Sequence, residues 1–160
     1  MKLFLLIIIS VLYNNNNLNA QVDTSVITLL SYEKNNHVLK HRKSSSLTAD
    51  DYAIIEEVLS ATINAYNIEQ KKNFLAQKSV DAKISEDDYL INLLNYKRQY
   101  IIVENIKGEK EVYINFFCQE WSDYSRNNLV VAYDGGNCYF RLIINLSNKK
   151  TFGMLVNGDA

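Results

Sequence analysis

Two stretches in the C-terminal half alternate with a period of two, Glu111–Cys118 (EVYINFFC) and Cys138–Leu146 (CYFRLIINL). Successive side chains of a β-strand point to opposite faces. The first stretch therefore puts Val112, Ile114, Phe116 and Cys118 on one face and Tyr113, Asn115 and Phe117 on the other. In the second, Cys138, Phe140, Leu142, Ile144 and Leu146 alternate with Tyr139, Arg141, Ile143 and Asn145. Such strands hide an apolar face only as a sheet with a cover. DDYAIIEEVLSATINAYN supplies it, because Ile55, Val58 or Leu59, Thr62 and Tyr66 recur every three or four residues. Thr48 precedes this run and Asp50 and Asp51 open it, a cap and a dipole-matched first turn. Ile55 is expected to roof Phe116 and Phe140.

The remaining elements follow from local signals. Val26–Ser31 (VITLLS) reads as a first strand, and the basic, serine-rich NNHVLKHRKSSS as an exposed connection. A polar link, IEQKKN, is expected to end the main helix. Ser85, followed by Glu86, Asp87 and Asp88 and then by Tyr89, Leu90, Leu93 and Leu94, predicts a short second helix. Tyr100–Glu104 and Glu111–Cys118 flank NIKGEK, a hairpin whose Gly108 can take positive φ. Leu129–Tyr133 (LVVAY) reads as a short strand ended by the turn Asp134-Gly135-Gly136-Asn137, and Thr151–Val156 as the last strand. The predicted fold is α+β: one main helix and a short second one packed on an antiparallel sheet of four to five strands.

Residues 1–20 read differently. Lys2, the apolar run Leu3–Leu12 and the polar stretch to Ala20 have the form of a secretory signal cleaved after Ala20, leaving residues 21–160 as one domain. Ten residues of helix cover about 15 Å of a roughly 30 Å hydrocarbon core, too little for a stable span. The expected location is secreted or periplasmic. With 17 basic and 18 acidic residues the chain has no field to gather nucleic acid. Five glycines, no proline and 48% hydrophobic residues exclude collagen-like and disordered classes. The excess is in asparagine (20) and tyrosine (11), which suit turns and half-exposed sheet faces.

Few residues carry chemistry. Cys118 closes one strand and Cys138 opens another, so antiparallel neighbours would bring their sulfurs together, facing the core. Closing about 20 residues is worth about 3 kcal/mol. The alternative is a pair of buried thiols acting as small hydrophobes. His37 and His41 have the i, i+4 spacing of metal ligands, but no HExxH glutamate accompanies them and their segment reads as an exposed loop. Asp50/Asp51, Glu56/Glu57 and Asp87/Asp88 fall on helix starts or helix surface. Gly135-Gly136 is part of neither a GxGxxG nor a GxxxxGK pattern, and the serines at 44–46 lie in no GxSxG elbow. No cofactor or metal is expected, and the chain reads as no enzyme. Trp121 and Tyr124 in the polar loop are candidate contact anchors, or a lid folded back over the sheet edge. Asp134 and Asn137 in the turn are the other candidate contacts.

The C-terminal pattern VYINFFC, DGGNCYFRLIINL, VNGDA resembles short secreted bacterial proteins of uncharacterised function. The order strand, long helix, antiparallel strands is similar to the cystatin-like arrangement, in which a curved sheet wraps a helix. Cystatin inhibitors carry QxVxG in their first hairpin. Glu104-Asn105-Ile106-Lys107-Gly108 keeps the glycine, with Glu104 for glutamine and Ile106 for valine, while the later proline–tryptophan pair is missing and only Trp121 occupies such a loop. Export, a small α+β domain and the lack of a catalytic constellation lead to the expectation of a non-catalytic module that binds an extracytoplasmic protein or surface ligand; the hairpin resemblance implies the alternative, a cysteine-protease inhibitor using Glu104, Ile106 and Gly108. A small enzyme would need polar groups converging in a sheet-lined cavity. Mass spectrometry of the exported chain should find Gln21 at its start and two hydrogens fewer than the dithiol. An intact Met1 refutes cleavage, and alkylatable thiols refute the bridge.

Overall fold

The main helix starts where a reciprocal cap can hold it. In the computed structural model, which describes residues 23–158, Thr48 Oγ1 accepts from the Asp51 N–H (3.3 Å) and Asp51 Oδ2 accepts from the Thr48 N–H (2.7 Å). Lys110 Nζ donates to the same carboxylate oxygen (2.6 Å) and ties the helix start to the sheet. Burial alone would raise the Asp51 pKa, but these donors outweigh it and hold the group below the ordinary aspartate range. The expected signal at residues 1–20 lies outside the described residues.

From this cap α2 (Ala49–Lys78) runs 30 residues without interruption. The expected IEQKKN link is not a break. Glu, Gln and Lys are good helix formers, and nothing among them stops a helix already nucleated. Phe74 anchors the last turns, buried against Tyr89 (ring centroids 5.8 Å apart) and flanked by the Lys71 and Lys78 ammoniums, each 5.2 Å from its ring.

The predicted second helix is realised as two single 3-10 turns, Glu86–Asp88 and Leu93–Asn95. Ser85 caps the first as expected. Between them Ile91 gives its N–H to Asn67 Oδ1 (2.9 Å) and receives Asn67 Nδ2 on its carbonyl (2.8 Å), so α2 takes both groups that a continuing helix would have used.

The sheet contains β1 (Ile27–Leu29), β2 (Lys43–Ser44), β3 (Lys97–Glu104), β4 (Lys110–Phe117), β5 (Tyr139–Asn145) and β6 (Lys150–Val156). β3 to β6 form an antiparallel meander. The sheet as a whole is mixed, not antiparallel, because β1 pairs with β3 in parallel, while β2 occupies the rest of that edge antiparallel. The cystatin-like arrangement is not reproduced in this respect. A short helix, α1 (Tyr32–Asn35), leads into the expected exposed connection, which contains β2 and the buried Leu39.

On one face Phe116 and Phe140 stack at 4.0 Å, with the Tyr96 ring edge-on to both. Ile55, Val58, Leu59 and Ile63 of α2 close over them together with Tyr100, Ile114, Leu142 and Ile144. The Arg98 guanidinium lies 5.9 Å from the Phe116 ring and donates to Glu56 (2.5 Å). Burial pushes the Tyr100 hydroxyl up to about 12.

The second face is covered too. Ile101, Val103 and Tyr113 pack against Leu30 and Leu39, with Val38, Leu129 and Ile143 around them. Leu59→Ala, which empties the centre of the helix–sheet layer, should cost about 3 kcal/mol in chemical denaturation. Leu75→Ala, on the exposed flank of the same helix, should change stability by less than about 0.5 kcal/mol.

Candidate functional site

Beyond the last β4–β5 ladder pair, Phe117 with Tyr139, the two chains part, and the next register position is held covalently by Cys118–Cys138. The bridge forms as expected, reinforced by Cys118 N–H donating to the Cys138 carbonyl (3.1 Å). It does not face the core. Cys118 lies just past β4 and is exposed, and Cys138 ends a 3-10 turn, Gly136–Cys138, so the bond sits at the rim where the strands leave the sheet.

The intervening segment is a strap across the second sheet face, anchored by carboxamides. It begins with α3 (Asp123–Asn127), capped by Ser122. Gln99, fully buried on β3, donates through Nε2 to the Ser125 (2.5 Å) and Asn128 (2.8 Å) carbonyls. Its Oε1 accepts from Val130 N–H (2.9 Å) and Asn115 Nδ2 (3.0 Å), and Asn115 also donates to the Val130 carbonyl (2.9 Å). Asn157 Nδ2 holds the carbonyls of Ala132 (2.9 Å) and Asp134 (3.1 Å). The predicted strand Leu129–Tyr133 is therefore irregular. β5 pairs directly with β4, which leaves this segment no strand to join, and side chains supply the partners that a ladder would have given it.

The predicted contact residues separate into anchors and exposed groups. Trp121 is half-buried, edge-on to Phe117 (5.3 Å), with the Arg126 guanidinium 5.1 Å from its ring. It is the lid of the two readings. Asn137 is also turned inward: its Nδ2 donates to Asp87 (2.7 Å) and Leu90 (3.2 Å), and its carbonyl accepts from Tyr96 Oη (2.7 Å). Burial holds that phenol protonated, with its pKa pushed up to about 12. The turn itself forms, with Gly135 and Gly136 both at positive φ. A side chain on Gly135 would also meet the Tyr139 ring at 2.8 Å.

Tyr124 and Asp134 are exposed. Two further exposed groups on the strap, Val131 and Tyr133 (94% accessible), escape a reading of LVVAY as a strand. Their signal in the sequence is that this apolar run lies between two polar loops with no partner segment specified.

The hairpin Glu104–Gly108 forms a separate point. Asn105 Oδ1 accepts from the Lys107 and Glu109 N–H groups (2.9 and 3.1 Å), Asn105 Nδ2 donates to Glu109 and Glu111, and Gly108 has φ 80°. Glu104 pairs with Lys110 in the ladder, half-buried, and Ile106 stands 86% exposed at the tip. His41 lines the shallow groove beside it with Arg42, which donates to the buried Glu111 (2.8 Å). Another groove lies between α2 and the 84–93 segment, where Ser60, Ile63, Asn64 and Leu90 line a mixed surface and Asn67 is engaged with Ile91.

Among the described residues no group of three or more His, Cys, Asp or Glu is placed to hold a metal ion. No helix among them is long and apolar enough to cross a membrane. Comparison of the chain with protein-family models, curated proteins and solved structures finds no match. Replacing both Cys118 and Cys138 by serine should lower stability by about 3 kcal/mol in denaturant titration. The carboxamide clamps should keep the strap docked in the variant, seen as retained amide protection at Val130. Loss of that protection would mean the bridge alone holds it.

Proposed function

We propose that this protein is an exported, non-catalytic binding module whose contact surface is the disulfide-braced strap between Cys118 and Cys138. The observation that carries this reading is the exposure of Tyr124, Val131 and Tyr133 on a segment whose backbone is pinned by buried Gln99 and Asn115. A rigid backbone with free aromatic side chains binds without a large ordering cost, and tyrosine offers wide contact area for few rotatable bonds. The partner is an extracytoplasmic protein or surface ligand. Export is supported by the leader-like pattern of residues 1–20 and by the disulfide, which persists in oxidising compartments.

The second reading is a cysteine-protease inhibitor acting through Glu104–Gly108. It is favoured by the exposed Ile106 on a tip stiffened by Asn105. Two assays separate the readings. Immobilised protein should retain a partner from the extracytoplasmic fraction of its own cells, and the variant Tyr124→Ser/Tyr133→Ser should lose it; equal retention overturns the first reading. Inhibition of a papain-type protease, abolished by Gly108→Trp, would support the second, and absence of inhibition at high molar excess removes it.

A further inference from the structure

The sheet ends at β6, whose outer edge pairs with no strand among the described residues. A free edge presents unpaired backbone donors and acceptors, a template for another strand. β6 also contains a bulge. Its register with β5 steps from Ile143–Phe152 to Arg141–Leu155, with Gly153 at φ 65° inside the step. The extra residue shifts the alternation, so Phe152 and Leu155 fall on the same face, the one away from α2, and are 40% and 53% exposed. Thr151 and Val156 lie on the α2 face, where Thr151 Oγ1 is 2.8 Å from Thr62 Oγ1 and Val156 packs against the core.

We propose that β6 is the docking edge for a second copy of this chain, paired antiparallel about a two-fold axis between Gly153 and Met154. In that register Phe152 of each copy lies opposite Leu155 of the other, Thr151 opposite Val156 and Lys150 opposite Asn157. Every directly opposed pair of strand side chains shares a face, as antiparallel pairing requires. A bulge that would hinder addition of a regular strand makes this edge complementary to itself.

The charges agree with the same symmetry. Lys150, exposed at the start of β6, forms no ion pair among the described residues, whereas Lys149 is held by Glu57 (2.9 Å). About 20 Å along the strand, Asn157 holds the Asp134 carbonyl, which puts an exposed carboxylate at the opposite end. The two-fold pairing brings each Lys150 to the Asp134 end of the other copy, so the contact occurs twice, as in any isologous interface. In the helix layer the exposed Ala61 and Ala65 lie on the α2 face that carries Glu57, and their small side chains permit close approach. Two such edges with these side chains would bury on the order of 1,200 Å², the low end for a specific interface.

This inference takes only Asp134 from the strap and does not rest on Tyr124, Val131 or Tyr133 binding a partner, and sedimentation velocity of the full chain between about 1 and about 200 µM tests it separately. A monomer–dimer equilibrium is expected. Leu155→Lys should leave only monomer with unchanged far-UV circular dichroism. Lys150→Asp should weaken the dimer roughly tenfold, and adding Asp134→Lys should restore it. A protein monomeric throughout, a dimer indifferent to Leu155→Lys, or a charge swap without rescue overturns the proposal, whatever the fate of Tyr124 and Tyr133 in partner binding.

Discussion

The structure depends on burying both faces of β4. Val112, Ile114 and Phe116 face α2, while Glu111, Tyr113, Asn115 and Phe117 face the other way and are buried as well. A helix can cover only one face. The second is closed by irregular chain, the α1 region at one end and the strap at the other, and irregular chain brings backbone groups that must find partners away from water. The same need recurs wherever the chain leaves regular structure.

Carboxamides meet that need. Gln99 and Asn115 bond the strap, Asn157 its far end, Asn137 the segment between the 3-10 turns, Asn67 the backbone of Ile91 and Asn105 the hairpin tip. An amide side chain carries both donors and an acceptor and can hold an N–H and a C=O together without bringing a charge into the core. This is the structural use of five of the 20 asparagines, Asn67, Asn105, Asn115, Asn137 and Asn157. It also explains why the exposed aromatics of the strap sit on a fixed backbone without belonging to a strand.

Much of the fold was legible. The alternation in Glu111–Cys118 and Cys138–Leu146 specified faces, hairpin and register closely enough to place the two cysteines together, and the Thr48 cap located the main helix. Two readings failed for one reason. Leu129–Tyr133 looks like a strand and Tyr89–Leu94 like a helix, because local pattern does not reveal which distant amide will take a backbone group. The candidate site was half legible: Tyr124 and Asp134 are exposed as expected, Trp121 and Asn137 are turned inward, and Val131 and Tyr133 were hidden inside a supposed strand.

The sequence alone determined that this chain would put strands bearing Phe116 and Phe140 beneath the helix that carries Ile55, since period-two and period-3.6 patterns leave their apolar sides few other places to go. Tertiary structure decided what lies on the second face, where the helix ends, and which loop residues meet solvent. These outcomes turn on contacts between residues far apart in the chain, such as Gln99 with Val130 or Asn67 with Ile91. Their free energy exists only after the sheet has brought the partners together.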